Sequence, residues 1–124
     1  MKHDLIPKFK MWFSTADAEG VFGDGKWRLL QAIEQKGSLK KAAESSGISY
    51  RKAWGDLKKA ETGLGVKFIE KNRGGKDGGR TVLTDEGRKW IHSYSRYRRD
   101  MEKNAEKLFV QFLKTVAQKE GLSE

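Results

Sequence analysis

The chain has 124 residues, no cysteine, and nearly equal apolar (36%) and charged (35%) fractions. One modest core can be built from this, whereas a disulfide scaffold, a thiolate zinc site, an iron–sulfur cluster and a cysteine nucleophile are all excluded. Lys and Arg number 26 against 17 acids, for a net charge of +9 that favours a polyanionic partner.

The excess charge is unevenly placed. Residues 1–36 carry +1, residues 37–83 carry +6 and residues 84–124 carry +2. A solvated basic face without a partner is the plain alternative to a binding surface. No apolar run approaches the ~20 residues of a membrane span, and Met1-Lys2-His3-Asp4-Leu5-Ile6-Pro7 lacks the apolar stretch of a signal peptide. The expectation is a cytoplasmic protein without membrane contact.

In chain order, Phe9, Met11 and Phe13 recur at the period of a half-buried strand, and Val21-Phe22 can return beside it after a turn at Asp17–Gly20. Asp24 is placed to cap a helix through Trp27, Leu30 and Ile33 that stops at Gly37. Ser38 is the expected cap of a short helix over 39–46, with Ala43 where only a small side chain lets two helices cross. Gly47 supplies a left-handed turn, Ile48 an apolar plug, and Ser49 the cap of a second helix to about Thr62. Short helix, glycine turn and second helix form a helix-turn-helix. Strands at 66–71 and 81–83 enclose the basic, glycine-rich tip Asn72–Arg80, which makes the pair a wing.

Thr84 caps the last expected helix. Along it Trp90, Tyr94, Tyr97, Met101, Ala105, Leu108, Phe112 and Val116 recur at helical steps, with Phe109 and Leu113 widening the stripe. A helix from Thr84 to Lys119 would span about 54 Å, more than so small a domain can cover. A second copy of the chain is the expected cover, a helical hairpin broken near Asn104 the alternative. The dimerisation set is therefore Trp90, Tyr94, Tyr97, Met101, Leu108, Phe109, Phe112, Leu113 and Val116.

The fold class expected is mainly α with a small β component: a winged helix-turn-helix with an N-terminal strand pair and a long C-terminal dimerisation helix. Residues 1–83 form the DNA-binding domain and 84–124 the linker and dimerisation helix. On a helical wheel Arg51, Gly55 and Lys59 lie opposite the apolar side of the second helix, flanked by Lys52 and Lys58. Glycine inside a helix costs ~1 kcal/mol against alanine, a loss that close approach to a major groove would offset, a merely tolerated Gly55 being the alternative. Tyr50 falls on the inward side of the wheel, although the first turn of a recognition helix can also offer a hydroxyl to a phosphate. The expected DNA contacts are Ser38, Lys40, Ser49, Tyr50, Arg51, Lys52, Gly55 and Lys59, with Arg73, Lys76 and Arg80 in the wing.

Other chemistries fail on spacing. Gly20 to Lys26 fits the glycines and lysine of a phosphate-binding loop, but Trp27 replaces its hydroxyl residue and Asp24 would repel phosphate. Gly23 and Gly25 begin a dinucleotide fingerprint that Arg28 ends. His3 and His92 have no partners at ligand spacing, so no metal, cofactor or catalytic residue is expected.

The segments Gly23–Ile33, Gly37-Ser38, Ala42-Ala43, Gly47–Trp54, Gly74–Gly79 and Leu83–Gly87 resemble the N-terminal DNA-binding domain of ModE-type molybdate-responsive transcription regulators, whose winged helix is similar to that of LysR-type regulators. The resemblance covers roughly residues 8–95. It implies a double-stranded DNA partner, recognition by the helix that Ser49 opens, and a homodimer through the long helix. Full-length members also carry Mop-type domains that bind molybdate. Here about 30 residues follow Tyr94 and read as one helix, so a molybdate or other oxyanion effector is not carried over. A protein-interaction winged helix and a small oxyanion sensor stand as the alternative functions.

Overall fold

The computed structural model of the chain describes residues 4–72 and 80–118. Two short strands, β1 (Trp12–Phe13) and β2 (Phe22–Gly23), pair antiparallel, with Phe13 opposite Phe22. Three helices follow: α1 (Asp24–Lys36), α2 (Leu39–Ser45) and α3 (Tyr50–Leu64). Strands β3 (Ile69–Asn72) and β4 (Arg80–Leu83) form the antiparallel wing, and α4 runs from Asp85 to Ala117. The wing tip, with Arg73 and Lys76, lies outside the described residues.

Local chemistry sets most of these boundaries. The Ser38, Ser49 and Thr84 hydroxyl oxygens each accept from the backbone N–H three residues on, of Lys41, Lys52 and Gly87. Each satisfies a donor that the first helical turn leaves free. Gly37 (φ 69°) and Gly65 (φ 68°) close α1 and α3 in the left-handed region, and Gly47 (φ 72°) makes the turn between α2 and α3. Helix α3 therefore runs two residues past Thr62, its approximate expected end, and closes at Gly65.

Asp24 departs from its expected role. The N-cap of α1 is Gly23, which offers no side chain, and Asp24 is instead a buried residue of the first turn. Its Oδ2 accepts from the Met11 N–H (3.2 Å) and its Oδ1 from the Tyr94 hydroxyl (2.7 Å). Strand β2 runs straight into α1, so the carboxylate faces the Met11 backbone just before β1 rather than its own helix end.

The compact unit spans Lys10–Tyr94. It thus takes in the first ten residues of α4, whereas the sequence divided the chain at Leu83/Thr84. At its centre Phe22 is fully buried, with ring centroids of Trp90, Tyr94 and Phe68 at 5.0, 5.1 and 5.6 Å. Leu30, Ile33, Leu39, Leu57 and the alanines Ala42, Ala43 and Ala53 complete the core between the helices. Gly87 is required by packing, since a Cβ there would overlap the Phe68 carbonyl oxygen.

Trp90 and Tyr94 therefore leave the expected dimer stripe. Tyr94 is buried in this unit and Trp90 packs on Phe22 and Phe68. The remaining described residues, at both ends of the chain, form a second unit. Within it Arg98 pairs with Glu102 (2.8 Å) and stacks over the Phe9 ring (5.2 Å). Tyr97, Met101, Leu108, Phe112 and Val116 are exposed there, and the rings of Phe109 and Phe112 stack at 6.2 Å. Among the described residues no helix is long and apolar enough to cross a membrane.

Candidate nucleic-acid interface

Helix α3 buries Ala53, Leu57 and Ala60 and leaves Arg51, Lys52, Lys58 and Lys59 exposed. The basic side read from the wheel is thus an outer surface of the domain. Lys52 makes an exposed ion pair with Asp56 at 3.2 Å, an interaction that contributes at most about 1 kcal/mol and exchanges readily for another anion. Gly55 sits on the same side. A Cβ there would meet nothing within 4 Å, so packing inside the chain does not explain this glycine.

Ser38 and Lys40 open α2 and Ser49 opens α3. Ser38 and Ser49 spend an acceptor on capping, which leaves each hydroxyl proton free to donate. Tyr50 contradicts the wheel. It is 43% exposed, because the first residue of α3 has no preceding turn to lie against. Its hydroxyl oxygen accepts from the Lys71 ammonium at 2.7 Å. Arg80 is exposed at the base of the wing, its guanidinium so near Gly37 that a Cβ there would lie 3.1 Å from Nη2. Two hydrogen bonds fix that base: Thr81 N–H to the Gly37 carbonyl (3.1 Å) and Leu39 N–H to Thr81 Oγ1 (3.3 Å).

Glu61 ties the wing to α3. Its Oε2 accepts from the N–H groups of Phe68 (2.7 Å) and Ile69 (3.3 Å), while Oε1 pairs with Lys58 at 3.2 Å. The outer side of α3 and the base of the wing are thereby joined. Lys71 is the surface group that the sequence pattern does not single out; Trp54, half-buried against the core, lends it a ring face. A signal was present: Lys71 follows Ile69 by two residues, on the same side of β3.

Helix α2, the turn at Gly47, helix α3 and the β3–β4 hairpin define a winged helix-turn-helix. A family model for bacterial regulatory helix-turn-helix proteins of the LysR family matches residues 25–88. The chain belongs to that family.

The transcriptional regulator ModE of Haemophilus influenzae is 36% identical over 75 residues, covering 60% of this chain and 29% of that protein. The molybdenum transport protein ModE of Azotobacter vinelandii is 35% identical over 78 residues, covering 63% and 29%. The chain thus spans under a third of the length of these relatives. Among solved structures, the CbnR DBD–DNA complex superimposes with a TM-score of 0.52 at 18% identity, covering 66% of this chain and 88% of that one. Vibrio fischeri DarR in complex with DNA gives 0.53 at 13% identity, covering 68% and 28%. At these identities the structural likeness concerns the fold.

Proposed function

We propose that this chain is a sequence-specific double-stranded-DNA-binding transcription regulator that acts as a homodimer, with α3 in the major groove and the 72–80 wing on the backbone or minor groove. The observation that carries the reading is the outer side of α3, where Arg51, Lys52 and Lys59 surround a glycine that the chain's own packing does not require. A bare backbone there lets the helix sit deep between phosphate walls while long cationic side chains reach base edges. A relative named as a transcriptional regulator and solved neighbours in complex with DNA support the same direction. A cytoplasmic location goes with this role.

Arg51 and Lys52 read bases in this scheme. Arg73, Lys76 and Arg80 hold phosphates or the minor groove. Tyr97, Met101, Leu108, Phe109, Phe112, Leu113 and Val116 join two copies through α4. Duplex affinity then falls steeply with salt, with a log–log slope near −0.9 per phosphate contact. Arg51→Ala lowers affinity for the preferred site by about 1–3 kcal/mol and relaxes base preference, whereas Lys76→Ala weakens all duplexes alike. Competition binding across single-base variants of the site separates the two; an equal loss from Arg51→Ala on every duplex contradicts its assignment to base readout.

A further inference from the structure

Lys71, on β3, stands outside the residues singled out from the sequence, yet it has the most specific surroundings of any exposed cation near α3. Its ammonium donates to the Tyr50 hydroxyl oxygen at 2.7 Å and lies 4.9 Å from the Trp54 ring centroid. Lys58 approaches the same indole at 4.6 Å. Among the described residues no carboxylate pairs with Lys71, so its charge is held between the Tyr50 hydroxyl and the Trp54 ring without being neutralised.

The donor count gives this arrangement its chemistry. An ammonium has three N–H groups, of which Tyr50 uses one. The phenol oxygen, having accepted from a cation, keeps its own O–H to donate, and the bond from Lys71 strengthens it as a donor. An ammonium and a polarised hydroxyl 2.7 Å apart present two donors to the oxygens of one phosphate.

We infer that Lys71 and Tyr50 form a two-donor grip for a single backbone phosphate of duplex DNA, with Trp54 as the positioning residue that fixes the ammonium. The inference rests on the DNA-binding reading above and deepens it. One partner lies on β3 and the other on the first turn of α3. The same phosphate therefore sets the seating of both the wing and the recognition helix.

The test uses the full chain and a short random-sequence DNA duplex, with fluorescence anisotropy across a salt series. Lys71→Met weakens binding about tenfold and reduces the log–log slope by about 0.9, one phosphate's share. Tyr50→Phe weakens binding about threefold at an unchanged slope, because a neutral donor releases no counterion. In the double variant the second loss shrinks below about twofold, since without the ammonium the phosphate is no longer held against the hydroxyl and the hydroxyl is no longer polarised. Lys71→Arg keeps the wild-type slope and reports on charge should Lys71→Met fold poorly. Lys71→Met with the wild-type slope, or full additivity in the double variant, overturns the grip while leaving DNA binding intact. A wild-type chain that binds no duplex at low salt overturns the DNA reading and the grip with it.

Discussion

Replacing Phe22 with Ala lowers the stability of the winged domain by about 3–5 kcal/mol, a large share of the ~5–15 kcal/mol that a domain of this size has in total. The reason is the position of the ring. Phe22 is fully buried and lies within 5.0–5.6 Å of Trp90, Tyr94 and Phe68. Those three belong to α4 and to the approach to β3, so one side chain joins the N-terminal hairpin to both. A cavity there cannot close by local movement, because Phe68 is fixed through its N–H to Glu61 (2.7 Å) and its carbonyl to the Thr84 N–H (2.9 Å). Urea denaturation followed by tryptophan fluorescence gives the value directly. A loss below about 1 kcal/mol contradicts the aromatic cluster as the centre of the core.

Placing Glu at both Leu108 and Phe112 is expected to convert the chain to a monomer and to weaken binding to a two-half-site duplex on the order of a hundredfold or more. Both side chains are exposed, at 63% and 55%, so within one copy the change costs little. Across a symmetric pair of helices each substitution would bring a carboxylate into an apolar seam twice, since an isologous interface repeats every contact. The loss of DNA affinity follows from valency: once one recognition helix is docked, the second binds at high effective concentration. Sedimentation equilibrium and anisotropy on the same samples check both halves. A wild-type chain that is already monomeric, or a monomeric variant with unchanged affinity, contradicts the dimer.

What could be read in advance was what depends on near neighbours in sequence. Ser38, Ser49 and Thr84 cap through hydrogen bonds that reach three residues, and Gly47 turns because its own φ demands it. These requirements are local, so the helix-turn-helix and the start of α4 were legible. Periodicity also found the apolar stripe of α4, but a period does not say what covers each position. A period alone therefore gives Trp90 and Tyr94 to a second copy, whereas Phe22, about 70 residues earlier in the chain, covers both. Asp24 fails in the same manner. As a cap it satisfies a local rule, yet Met11 and Tyr94, which the fold alone brings near, take its carboxylate.

The candidate interface divides along the same line. Arg51, Lys52 and Lys59 are placed by angular position around α3, and the structure exposes them as the wheel expects. Tyr50 escapes the wheel because at the first residue of a helix one side has no neighbouring turn. Lys71 belongs to a strand, and its value lies in meeting Tyr50 and Trp54 across 21 and 17 positions of sequence. No pattern within one element reports such a meeting.

Selection of bound duplexes from a random DNA pool is the sharpest test of sequence-specific recognition by a dimer, because one experiment reads affinity, base preference and symmetry. A dimer that docks two α3 helices enriches an inverted repeat whose half-sites lie about 10 base pairs, or a multiple, apart. A pool that returns no enriched sequence at low salt contradicts it.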